Sequence, residues 1–130
     1  MEALPPDIER RLRDEATVWL STVRGDGRPH VTPVWFVFDE GTWWIGCSAN
    51  SVKVRNCRSQ GAVALALEDG RAPVVAEGLA AVREQDFPAE VVDAFAHKYD
   101  GWDIRAVNGS GARALIEVAT TRWLLRGAAR

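Results

Sequence analysis

A chain of 130 residues with 47% hydrophobic and 26% charged side chains has room for one domain with its own core and is too apolar to stay disordered. Its formal net charge of −2 excludes a general basic field for nucleic acid, so any anion site has to be a local cluster of charge. Two cysteines, no apolar signal core in residues 1–13 and no run approaching the ~18 apolar residues of a membrane span leave the cytoplasm as the expected compartment.

In chain order, Pro5 and Pro6 open a short helix in which Ile8 and Leu12 make a narrow apolar stripe. Residues 16–23 (ATVWLSTV) read as a strand, rich in β-branched and aromatic side chains. Gly25-Asp26-Gly27-Arg28 is a turn, because glycine permits the positive φ that tight hairpins demand. After Pro29, residues 30–38 (HVTPVWFVF) form a second strand, and Asp39-Glu40-Gly41 turns the chain into a third at residues 42–47. Residues 48–58 then interrupt the strands, with Ser51 as the N-cap of a short helix. Strands resume at residues 62–67, turn at Asp69-Gly70-Arg71 and continue over residues 73–82. Asp86 and Pro88 start a further helix, with Val91, Val92, Phe95 and Tyr99 at helical spacing and Gly101 just past its end. A loop over residues 108–111 leads to a last strand at residues 113–125.

About six strands joined by short hairpins, with two or three short helices, are most economically a closed or partly closed antiparallel barrel, since closure removes exposed strand edges. Pro33 is the local misfit. It cannot donate to a ladder, so its strand is an edge there, or bulges, or faces something other than protein. The six tryptophans suit a barrel filling, a pocket lining or an interface. Trp43 and Trp44 point to opposite faces of one strand, so at least one is core or interface.

Two segments carry candidate chemistry. In Ser51-Val52-Lys53-Val54-Arg55-Asn56-Cys57-Arg58, cations lie in the first turn of a helix, where the macrodipole favours anions. A bound phosphate reverses that balance by meeting backbone N–H groups, the hydroxyl and the basic side chains together. Solvated charge on a connecting helix is the plainer alternative. In the second segment, Val31-Thr32-Pro33-Val34-Trp35, unpaired backbone around Thr32 can hydrogen-bond the edge of a planar ring. An ordinary edge strand is the alternative here.

Taken together, a Gly-Arg-Pro turn, the strand HVTPVWFVF, the segment SVKVRNCR and the strand AVALAL resemble the pyridoxamine 5′-phosphate oxidase-like superfamily of split β-barrels. Within it they are similar to the flavin/deazaflavin oxidoreductases that use coenzyme F-420. The resemblance spans residues 17–82, and more loosely the helix ending Lys98-Tyr99-Asp100-Gly101-Trp102. It implies a mainly β, α+β fold: a six-stranded antiparallel split barrel over residues 1–130 with two to three helices, dimerising with two cofactor sites at the interface. It further implies that Val31, Thr32, Pro33 and Val34 lie along the cofactor ring. Ser51, Val52, Lys53, Arg55 and Asn56 hold its phosphate, with Lys53 the principal charge, while Cys47 and Ser48 lie beside the ribityl region. Arg58 flanks the site, and Trp102 or Trp123 of a second subunit covers the ring.

The implied activity is hydride transfer between F-420 and a small planar organic substrate; an FMN-dependent oxidase or reductase, or a non-catalytic flavin, deazaflavin or haem binder, are the alternatives. The cofactor carries the hydride chemistry, so no protein nucleophile, general acid or metal is nominated. His30 and His97, with Cys47 and Cys57, lack zinc-ligand spacing, and His30 reads as a solvated strand-start histidine. No membrane or nucleic-acid partner is expected.

Overall fold

Alternation of inward apolar side chains with outward ones builds the barrel strands, and in β3 and β6 the outward side chains are apolar too where a helix covers them. The computed structural model describes residues 3–107 and 111–128. The elements are α1 (Pro6–Asp14), β1 (Val18–Val23), β2 (Pro29–Asp39), β3 (Thr42–Ser48), α2 (Val52–Ser59), β4 (Ala62–Leu67), β5 (Val74–Arg83), α3 (Ala89–Lys98) and β6 (Arg113–Arg126). All strand pairs are antiparallel and close in the order β1-β2-β3-β6-β5-β4. This is the six-stranded barrel with helices that the residue pattern predicts.

Inside the barrel lie Val18 and Leu20 of β1, Phe36 of β2, Trp43 and Ile45 of β3, Leu65 of β4, Ala76 of β5 and Ile116 of β6. Helix α1 plugs one end with Ile8 and Leu12, and α2 closes the other with Val54 and Cys57. Helix α3 packs outside, where Val91, Val92 and Phe95 meet Trp44, Ile104 and Leu115. Trp43 and Trp44 therefore do face opposite ways, and both are buried.

Local chemistry sets the turns. Gly27 (φ 90°) completes the β1–β2 hairpin, and Glu40 (φ 47°) with Gly41 (φ 83°) completes β2–β3. Gly101 (φ 82°) ends α3 by donating from its N–H to the Ala96 carbonyl at 2.7 Å. Strand β1 begins at Val18 rather than residue 16, because the Ala16 carbonyl is taken by the Tyr99 hydroxyl at 2.8 Å. The predicted 108–111 loop falls largely outside the described residues. Among the described residues no helix is long and apolar enough to cross a membrane.

Candidate functional site

The barrel is not laddered along its full height. β1 pairs with β2 from Val18–Val34 to Val23–Pro29, while β3 pairs with β2 only from Trp35–Gly46 to Asp39–Thr42. Below Trp35, β2 thus has a neighbour on one side only. The Phe36 N–H donates to the Tyr99 hydroxyl at 2.9 Å, away from β3. Strand alternation then turns the polar groups of Val31 and Pro33 toward the gap beside β3. Pro33 fits because the N–H it lacks is one no strand would accept. Thr32 is half-buried and its hydroxyl donates to the Pro33 carbonyl at 3.4 Å, while Val34 turns into the core.

Across that gap β3 ends in a compact turn. The Ala49 N–H donates to Ala112 O at 2.9 Å, Asn50 N–H to Ser48 Oγ at 3.3 Å and Ser51 N–H to Ser48 O at 3.1 Å. Ser51 takes the N-cap position of α2, but its hydroxyl forms no capping bond, and the first turn holds no acidic residue. Its Oγ is buried without a well-formed hydrogen bond, beside the Cys47 thiol. The opening turn of α2 is therefore short of acceptors for its free N–H groups. A shallow depression of about 260 Å³, lined by Ala49, Asn50, Ser51, Val54, Arg55 and Arg58, opens here.

The cations divide by partner. Arg58 is tied to Glu84, whereas Lys53, half-buried, and Arg55, exposed, take part in no ion pair among the described residues. A third cation escaped the sequence reading. Arg113, at the start of β6, is the register partner of Ser48, and its guanidinium lies 5.1 Å from the Trp102 ring centre. Burial pushes the Cys47 thiol upward in pKa, while the charges of Lys53 and Arg113 and the Ser51 hydroxyl pull the other way. Both cations thus bear on the end of β3. Only the long-range β3–β6 pairing brings Arg113 there, so no local motif could have flagged it.

The expected site residues do not all present a side chain to the gap. Val31 is 55% and Val52 38% exposed. Cys47 is buried in the barrel and Cys57 on the inner side of α2, where burial raises its thiol to about 11. Asn56 turns away altogether: it is buried, and its Nδ2 donates to Thr22 Oγ1 at 3.0 Å. It spaces α2 from β1 rather than offering a side chain to a phosphate. His30 is half-buried with a closed-off Nδ1 lacking a partner, so it is not the solvated residue expected. Trp123 packs inside its own barrel, 6.0 Å from Trp43 and 5.9 Å from Phe38.

At the apex of the gap stands an aromatic group. Trp35 stacks on Tyr99 at 4.4 Å with an interplanar angle of 4°, and Trp102 meets it edge-on at 5.3 Å. Tyr99 and Lys98 hold Phe36: the hydroxyl bridges Phe36 and Ala16, and Lys98 Nζ donates to Phe36 O at 2.9 Å and Leu12 O at 3.4 Å. Burial lowers Lys98 to about 8, against the opposing pull of Asp14 and Glu15, and raises Tyr99 to about 12. A larger cleft of about 600 Å³ lies on the other side of this clamp, between α1, β2 and α3.

The family model of pyridoxamine 5′-phosphate oxidase matches residues 4–127. This chain belongs to the pyridoxamine 5′-phosphate oxidase family. No curated protein matches it by sequence. Among solved structures, one named F420 reductase is 25% identical with a TM-score of 0.74, covering 92% of this chain and 98% of its own. HutZ of Vibrio cholerae, named as a haem storage protein, is 20% identical with a TM-score of 0.79, over 98% of this chain and 97% of its own. HupZ of Group A Streptococcus is 16% identical with a TM-score of 0.72, over 98% and 99%. Solved structures with this barrel thus carry different names for what they do, and the fold they share is that of this chain.

Proposed function

We propose that this family member binds the deazaflavin coenzyme F-420 between two copies of itself and transfers hydride between that coenzyme and a small planar organic molecule. FMN is the alternative occupant of the same site. One observation carries the reading: a half-unpaired strand faces, across a single gap, a helix start that among the described residues has cations outside any ion pair, no acid in its first turn and a buried hydroxyl without a well-formed hydrogen bond. An anionic group suits that helix start, and the edge of a flat ring suits the strand.

In this reading the Val31–Pro33 stretch aligns the ring, with backbone groups at Val31 and Pro33 as edge partners, while Val34 anchors the strand in the core. Ser51, Val52 and Lys53 meet the phosphate at the opening turn of α2, Arg55 and Arg113 add charge, and Cys47 and Ser48 border the linker between ring and phosphate. The residues present therefore fit such a group. The chemistry it supplies when bound is hydride delivery to one carbon of an activated double bond, with solvent protonating the other. The chain's own part is to bind, orient and exclude water. The F420 reductase relative supports F-420 over FMN. The cytoplasm is the compartment in keeping with two free, buried cysteines.

Titration of the purified protein with F-420, FMN and haem, followed by tryptophan emission, tests this. Micromolar F-420 or FMN should quench emission, and Lys53→Ala should weaken that binding roughly ten- to hundredfold, the worth of about 1.5–3 kcal/mol for a charge-assisted contact. Tight haem binding with neither flavin nor deazaflavin retained would move the chain to a carrier role. An unaltered affinity in Lys53→Ala would remove α2 from the site.

A further inference from the structure

We propose that Trp35 is the platform on which the hydride-exchanging reactant stacks, that this reactant is a flat conjugated ring, and that Tyr99 is the positioning residue holding the platform in place. This rests on the reading that the cofactor ring lies along β2. Trp35 is the first residue of β2 above the gap and lies on the same strand face as Val31 and Pro33, by the alternation of a strand. It is 42% exposed although two aromatic neighbours hold it, so part of its ring stays open to a partner.

Two contacts hold it, and one of them is braced in turn. Tyr99 covers it in parallel at 4.4 Å, Trp102 abuts it at 82°, and Tyr99 is itself pinned through its hydroxyl to the Phe36 and Ala16 backbone. Its strand partner Gly46 leaves the space that Trp102 and Ile104 occupy: a Cβ there would come within 2.8 Å of Trp102 and 2.5 Å of Ile104. Tyr99, Trp102 and Ile104 also pack the cluster around α3, but Trp35 belongs to neither core cluster and points outward, so packing alone gives no reason for an indole there. A pre-set, half-exposed indole beside a redox ring favours a second planar ring, because offset stacking adds to simple burial. A saturated molecule of equal size gains the burial alone.

The test uses menadione as the planar probe and the saturated bicyclic ketone decalone as its control, with binding measured by equilibrium dialysis with and without F-420 or FMN. Wild type should bind menadione in preference to decalone. Trp35→Leu should weaken menadione roughly tenfold and decalone little, and Trp35→Phe should restore most of the loss. Tyr99→Phe, which keeps the ring but frees it from Phe36, should fall between them for menadione alone. Equal losses for both ketones, an unchanged menadione affinity in Trp35→Leu, or no preference in wild type would overturn the platform. So would a Trp35→Leu protein that sediments as a smaller species, since Trp35 then belongs to an interface between copies. Failure to bind either cofactor sinks the preceding reading, while the menadione comparison still judges Trp35. Cofactor binding with menadione indifferent to Trp35 sinks only this inference.

Discussion

Lys53 and Asn56 lie three apart on α2 and have opposite surroundings. Among the described residues Lys53 forms no ion pair, so replacing it should leave the fold unmoved and act on ligand affinity. Asn56 is 4% and Thr22 1% exposed, and each is the other's side-chain partner. Removing one leaves a buried polar group unsatisfied, at a cost of about 1–3 kcal/mol. Asn56→Ala should therefore lower the urea midpoint clearly, and Thr22→Val in the same chain should recover part of the loss, as a shared interaction requires. Strictly additive losses would mean the hydrogen bond contributes nothing. The sequence SVKVRNCR contains the helix and its cations, but not which residues turn inward. That depends on the angle at which α2 meets β1, and a pattern of only eight residues is too short to fix it.

At the scale of elements, β2 shows why sequence carries so far and then stops. Alternation in HVTPVWFVF identifies the strand, and Pro33 marks where its ladder fails. What replaces β1 beyond Val18 is invisible locally: two consecutive side chains at the end of α3, Lys98 and its C-cap Tyr99, supply the bonds that Phe36 would otherwise make to a strand. Helical spacing places Tyr99 on the packed face of α3, yet its partners are 63 and 83 positions away in sequence. This clamp should leave a mark on pH dependence. Lys98 sits near 8 in the fold, below the usual 10.5, because burial disfavours its charge. Between those values the unfolded chain binds more protons, so this group makes stability rise with pH. Tyr99, raised to about 12, works in reverse: above 10 the fold keeps a proton that the unfolded chain has lost, and stability falls. Urea midpoints of wild type and Lys98→Met at pH values from about 7.5 to about 10 test the first limb. Wild type should gain on the variant across that interval, while the downward pull of Cys57 is common to both and cancels. A constant difference would mean that Lys98 titrates normally.

For the whole molecule, the distribution of cover matters more than any single contact. The two barrel ends are closed by α1 and α2, and α3 shields β3 and β6. Helix α3 also reaches the part of β2 from Trp35 onward, whereas outward side chains such as Trp19 of β1, Val31 of β2 and Leu79 of β5 stay exposed. There Ser21 stands between Val31 and Ala64 in register, Leu79 pairs with Ala62, and Trp19 stands beside Pro33. Trp19 is 43% and Leu79 58% exposed. Small residues alternating with apolar ones give a flat face of the kind that pairs with its own copy about a two-fold axis. The gap that holds the candidate site opens beside Val31, at the margin of this face, so a second copy seated on it would wall the gap. Placing a charge there, as in Ser21→Arg or Leu79→Arg, leaves the barrel interior alone because both side chains point outward. Sedimentation at micromolar concentration should show wild type as a dimer and each variant as a monomer with an unchanged circular dichroism spectrum. Cofactor affinity should fall together with the dimer, by an amount that recovers as protein concentration is raised, since mass action restores the missing wall. A monomeric wild type that binds cofactor as tightly as the proposal expects would separate the site from the interface.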